Sequence, residues 1–139
     1  VDNTGGHLMQ NKMVDVCITG TDRTTATGDV CNKIGTYLKA LAAKENNIPF
    51  YVAAPISSID FSMNDGINQV PIEVRDSEEI SYMTGLDKEG KITKIRTTPT
   101  NSISVNYAFD VTPAKFINKI ITEKKVVDAT KNSILSLLE

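Results

Sequence analysis

The densest run of side chains able to bind or react lies between Gly20 and Thr36, GTDRTTATGDVCNKIGT. It holds two carboxylates (Asp22, Asp29), a guanidinium (Arg23), a thiol (Cys31), an amide (Asn32) and an ammonium (Lys33), interrupted by Gly20, Gly28 and Gly35. Asp22 is the residue best suited to acid/base work. It directly follows an apolar run, and a carboxyl that is partly desolvated at such a place can stay protonated and act as an acid. The alternative is a loop aspartate paired with Arg23, and the residues alone leave both open. Asn32 and Lys33 sit where a helix is expected to begin, and free N–H groups at a helix start favour a phosphate. The glycine spacing matches neither the P-loop nor the dinucleotide fingerprint. These residues therefore point to an anion or sugar-phosphate site and no further. Asp29 reads as a structural cap for the following helix. Cys17 and Cys31 read as packing residues, although a thiol at a helix start can be activated.

The elements that must position these residues follow from apolar spacing. A first helix opens at Asp2 or Asn3, either of which can cap it, and turns Leu8 and Met9 inward. Val14 to Thr19 is a short β-branched run, apolar on both faces, which suits a buried parallel strand. NKIGTYLKALAA, from Asn32 to Ala43, places Ile34, Leu38 and Leu41 at helical spacing. Asn46, Asn47 and Pro49 end that helix. Phe50 to Ala54 is a second buried strand. Strand, loop, helix and strand in this order make a βαβ unit, which presents ligand-binding loops at the carboxyl ends of its strands. The expected class is α/β, a parallel sheet with flanking helices. Beyond Pro55, turn residues dominate to Pro71, and Ile72–Arg75 can form a short edge strand. Ser77 to Met83 reads as a helix ended by Gly85, and Lys88–Thr100 as a polar surface excursion. Thr112 is a natural N-cap with Pro113 at the first helical position; Phe116, Ile117, Ile120 and Ile121 would form that helix's apolar face. The tail SILSLLE is either a docked final turn or a disordered end.

Composition narrows the function classes. The 139 residues suffice for one domain with one core. A net charge of −2 with no dense Lys/Arg cluster gives no footprint for nucleic acid. The apolar runs fall far below the roughly 18 residues of a membrane span, and the amino end lacks the pattern of a secretion signal. A single histidine excludes a metal site built on several imidazoles. Two cysteines make no disulfide framework, which suits a reduced, cytosolic compartment. Only two strands are clear, fewer than a doubly wound sheet needs to cover both faces. The sequence reads as though it starts partway through a fold.

GTDRTTATGDVCNKIGTYLKALAAKENNIPFYVAAPISSIDF resembles the signature of the methylthioribose-1-phosphate isomerase family. VPIEVRDSEEI and NYAFDVTPAKFI resemble two later family blocks, in the right order, and DNTGGHLM resembles the helix before the catalytic strand. The resemblance covers residues 2 to about 125. The wider superfamily includes ribose-1,5-bisphosphate isomerases and the regulatory subunits of a translation-initiation exchange factor. Asp22-Arg23 and Gly28-Asp29-Val30 favour the methylthioribose branch. The resemblance implies a Rossmann-like domain spanning residues 1–139, the carboxyl part of an isomerase that converts methylthioribose 1-phosphate to methylthioribulose 1-phosphate in methionine salvage. It implies no metal or redox cofactor, a sugar-phosphate substrate, Asp22 in the acid/base role, and Asn32 and Lys33 as substrate contacts. The family cysteine lies upstream, in a segment this chain does not contain, so neither Cys17 nor Cys31 takes its role. The helical amino-terminal domain and the first strands of the sheet are likewise expected to be missing. Thr24–Thr27 is more polar than the usual family version. A homodimer is implied, and activity would need the amino-terminal part, supplied by a separate chain. The alternative is a non-catalytic dimerisation or regulatory module of the same superfamily.

Overall fold

Apolar runs around Cys17 and Phe50 do form adjacent parallel strands, and the computed structural model, which describes residues 1–139, shows what surrounds them. In chain order the elements are α1 (Thr4–Gln10), β1 (Cys17–Thr19), β2 (Arg23–Thr25), β3 (Val30–Lys33), α2 (Thr36–Glu45) and β4 (Phe50–Ala53). There follow β5 (Ile59–Asp60), α3 (Gly66–Gln69), β6 (Val74–Arg75), α4 (Glu78–Ser81), β7 (Tyr82–Leu86) and β8 (Ile92–Arg96). The chain closes with β9 (Asn106–Tyr107), β10 (Phe109–Thr112), β11 (Lys119–Ile121), β12 (Val126–Val127) and α5 (Lys131–Leu135). Two units result, residues 1–71 with 109–139, and residues 72–108.

The larger unit is mixed α/β. Its first sheet has the order β1-β4-β11-β12, with β1, β4 and β11 parallel and β12 antiparallel. The βαβ expectation holds, since α2 lies between the parallel pair β1 and β4. Phe50, Val52 and Ile120 from the middle strands join Val30, Ile134 and Leu137 in the core, so the tail docks rather than frays. The helix α2 buries Thr36, Ala40 and Ala43, small side chains that let it pack closely. Leu38 is 65% exposed and Ile34 47% exposed, against expectation. The helix starts at Thr36 rather than Asn32, which moves Ile34 into the preceding turn and the apolar spacing off the buried face.

Other expectations also fail, one of them through pairing with a distant strand. Val14–Thr19 shortens to a three-residue strand at the sheet edge, and Ile18 is 57% exposed rather than buried on both faces. The helix expected after Thr112 is a 3-10 turn, Ala114–Phe116, followed by strand β11. Ile117, Ile120 and Ile121 satisfy helical spacing, but they are β-branched, and Ile120 lies beside Val52 in the parallel ladder with β4. Asp2 and Asn3 cap nothing through their side chains; Asp2 instead pairs with Lys39 at 2.9 Å.

The second sheet, order β10-β3-β2-β5, is absent from the sequence reading. It is antiparallel except for β2 with β5. Its β2–β3 hairpin turns through Gly28, at φ +95°, where an added Cβ would lie 2.8 Å from the Ala129 backbone. Asp29 caps other elements than the expected helix. Its carboxylate accepts the Gly66 and Ala114 N–H groups, each at 2.9 Å, tying α3 and the 3-10 turn to the hairpin.

In the smaller unit β6 pairs with β9 and β7 with β8, both antiparallel. The helix expected to Met83 ends at Ser81, and the polar excursion contains β8. No helix in the chain is long and apolar enough to cross a membrane.

Asp29→Ala removes two charge-assisted acceptors and should destabilise the chain by about 2–3 kcal/mol. Urea unfolding should show a lower midpoint at unchanged slope. Asp29→Asn, which keeps one acceptor oxygen, should fall between. Gly28→Ala, strained in φ and blocked by backbone, should cost about 1–3 kcal/mol in the same measurement.

Candidate functional site

The parallel strands β1 and β4 end side by side, and the loops that leave their carboxyl ends carry Asp22 and Ser57 respectively. These residues, with Arg23, Ser58, Asp60 and Phe61, line a cleft of about 360 Å³. Open α/β sheets place ligands at this end. Asp22 is held through its backbone, its N–H donating to the Cys31 carbonyl at 2.9 Å. The Thr21 hydroxyl donates to the same carbonyl at 3.2 Å and shares a hydrogen bond with Thr24. Arg23 faces Asp60 at 3.6 Å, so the Asp22–Arg23 pairing that a bland loop would have made is not formed. The sequence suggested a partly desolvated Asp22; in this structure the residue is exposed, since β1 is an edge strand.

Asn32 and Lys33 do not open a helix. They end β3, which pairs with β10 in the register Asp110↔Asn32 and Phe109↔Lys33. Alternation along a strand sends the two side chains to opposite faces. Lys33 takes the Cys31 face, with its ammonium 5.9 Å from the Phe109 ring centroid. Phe109 and Cys31 in turn line a smaller cleft of about 140 Å³ with Asp22 and Arg23. The fold thus gathers Asp22 and Lys33 around Cys31 and Phe109. Asn32 turns to the other face, where its amide donates to the Thr36 hydroxyl at 3.0 Å, and that hydroxyl donates to the Lys33 carbonyl at 2.7 Å.

The start of α2 is also not an empty anion seat. Asp110 accepts the Gly35 N–H at 2.7 Å and the Tyr37 N–H at 3.1 Å. Sequence reasoning missed this residue, along with Ser57 and Asp60. One signal was present: the N-cap position is Gly35, which has no side chain to cap with, so an acceptor had to come from elsewhere.

Burial pushes both thiols above the ordinary range. For Cys17 the Lys39 charge opposes that shift. For Cys31 the Asp22 and Asp110 charges add to burial, and Arg23 opposes. No group of three or more His, Cys, Asp or Glu side chains gathers as metal ligands. Alkylation of Cys31, followed by mass spectrometry, should rise with pH through a midpoint above that of an exposed thiol. Asp22→Asn should move that midpoint down, by removing one of the charges that raises it.

The profile of the Initiation factor 2 subunit family matches residues 1–129. The chain is 59% identical over 134 residues to a methylthioribose-1-phosphate isomerase of Methylocella silvestris, covering 96% of this chain and 37% of that protein. It is 56% identical over 136 residues to the methylthioribose-1-phosphate isomerase of Desulfosudis oleivorans, covering 98% of this chain and 37% of that protein. Among solved structures, 5-methylthioribose 1-phosphate isomerase from Pyrococcus horikoshii OT3 superposes with a TM-score of 0.83 at 41% identity, covering 99% of this chain and 36% of that one. The translation initiation factor eIF-2B subunit delta from A. fulgidus gives 0.79 at 35% identity, covering 98% of this chain and 38% of that one. The chain spans little more than a third of the length of these relatives. By the extent of the profile match, it belongs to the initiation factor 2 subunit family.

Proposed function

We propose that residues 1–139 form the Rossmann-like carboxyl domain of a methylthioribose-1-phosphate isomerase, acting in methionine salvage. The observation that carries this reading is Asp22: it stands in the cleft at the carboxyl ends of β1 and β4, in a chain 59% identical to a protein of that name. The substrate is a sugar phosphate whose phosphate sits on the anomeric oxygen, so the ring cannot open as a free aldose does. An acid must protonate the ring oxygen as its bond to C1 breaks. Hydrogen then moves from C2 to C1, and the C2 hydroxyl gives up its proton to become the ketone. The steps balance without an external oxidant. Asp22 serves as the acid/base group, Lys33 neutralises phosphate charge, and Asn32 is a substrate contact. In this structure one N–H of the Asn32 amide is bonded to Thr36, and its second N–H and its carbonyl oxygen are the groups that would meet substrate.

The remaining machinery, including the cysteine, comes from an amino-terminal part equivalent to the rest of the relatives' length. Exposed Ile18 on β1 and Val16 just before it support a joint there, beside a mostly apolar groove lined by Leu8, Met9 and Val14. An open strand edge is a template for another strand. That part can be supplied by a separate chain, and the assembled enzyme is a cytoplasmic homodimer. The free thiols Cys17 and Cys31 suit a reducing compartment. A second reading, a non-catalytic dimerisation or regulatory module, draws support from the likeness to the eIF-2B delta subunit.

Combined with an amino-terminal segment of the relatives, the chain should isomerise methylthioribose 1-phosphate. Asp22→Asn should lower kcat by about 10²–10⁴-fold, and Lys33→Ala should raise KM by about tenfold or more. Binding of the two parts without turnover, and indifference to Asp22→Asn, would favour the regulatory reading instead.

A further inference from the structure

Gly35, the N-cap residue of α2, stands at φ +97° and carries no side chain that could cap the helix. Its N–H and that of Tyr37 are satisfied by one carboxylate, Asp110, which lies 75 residues from Gly35 in sequence. Asp110 is also directly opposite Asn32 across the β3–β10 pair. Between these anchors the chain is closed by short bonds, Asn32 to Thr36 at 3.0 Å and Thr36 to the Lys33 carbonyl at 2.7 Å. Gly35 and Tyr37 are thus bonded directly to Asp110 and Asn32 lies opposite it, while Thr36 and the Lys33 carbonyl are linked on through Asn32.

We propose that Asp110 is a positioning residue for the Asn32–Lys33 corner. Its carboxylate fills the helix start that a substrate phosphate would otherwise occupy, and its place opposite Asn32 fixes the register that leaves Lys33 on the Phe109 face. A negative group already seated on the Gly35 and Tyr37 N–H groups repels a second anion there. An incoming phosphate is directed to Lys33, on the opposite face of β3 from Asp110. The functional half of this proposal rests on the reading of Lys33 as a substrate contact; the positional half does not. Asp29 differs in that its carboxylate bonds the Gly66 and Ala114 N–H groups and none of the Asn32–Tyr37 segment.

The test uses the whole chain, amide NMR and inorganic phosphate as the probe. In Asp110→Asn, amide exchange at Gly35 and Tyr37 should quicken by about tenfold, as expected for the loss of one charge-assisted hydrogen bond. The Asn32 and Lys33 signals should move, while Val52 and Ile120 keep their shifts and report an intact sheet. Asp110→Glu, which retains the charge, should recover part of the protection and provides the readout if the asparagine variant does not fold. Phosphate should perturb Lys33 in the unaltered chain and shift its effect to Gly35 and Tyr37 in Asp110→Asn. Asp29→Asn should leave all of these signals in place. Unmoved Asn32 and Lys33 signals in Asp110→Asn would overturn the proposal and reduce Asp110 to a helix cap. A phosphate effect centred on Gly35 and Tyr37 in the unaltered chain would overturn it as well. If phosphate has no effect on the unaltered chain, the substrate reading of Lys33 fails, and the Asn32 and Lys33 shifts still decide whether Asp110 positions them.

Discussion

Backbone N–H groups at the start of a helix or tight turn have no partner within their own segment, and leaving one buried and unpaired costs as much as a lost hydrogen bond. In this chain two carboxylates, Asp29 at the turn into β3 and Asp110 on β10, satisfy four such groups. Asp29 takes Gly66 and Ala114, and Asp110 takes Gly35 and Tyr37. All of these are contacts between residues far apart in sequence. The sheet β10-β3-β2-β5 consequently acts as the frame against which α2, α3 and the turn after Thr112 are aligned. Asp22, Cys31, Asn32 and Lys33 are part of that frame or border it, so the geometry of the candidate site and the anchoring of the fold are the same set of bonds.

The parallel sheet contributes differently. Its strands β4 and β11 are buried in the core through Phe50, Val52 and Ile120, and this apolar burial, at roughly 25 cal/mol per Å², is the main source of stability. Its outer strand β1 is short, and Ile18 faces solvent. The loop after β1 carries Asp22, so the incompletely covered edge and the exposed carboxylate are consequences of one feature.

The strands β1 and β4 were legible because a short run of β-branched and aromatic residues has few other uses in a small domain. Asn32 and Lys33 read as a helix start because NKIGTYLKALAA carries helical spacing from its first residue, while their strand pairing to β10 is invisible locally. The segment after Thr112 failed in the same way. Its isoleucines fit both periods, and the decision was made by β4, which offers Val52 beside Ile120. The choice of Asp22 as the acid/base candidate came from its place after a strand and from the family resemblance; the geometry adds the cleft that it shares with Ser57 and Asp60. Asp110 could be inferred only as a missing acceptor for a glycine-capped helix.

By itself the sequence determined the α/β class, the β1–α2–β4 order and the residue types gathered near the first strand, because these depend on local propensity and short-range periodicity. It also carried the family membership, through blocks of residues in a fixed order. Tertiary structure alone decided which face Lys33 takes, what fills the start of α2, and that Asp29 and Asp110 bind segments far from themselves. Those outcomes depend on which distant donors meet which acceptors when the chain closes, and a backbone N–H carries no mark in the sequence of the carboxylate that will satisfy it.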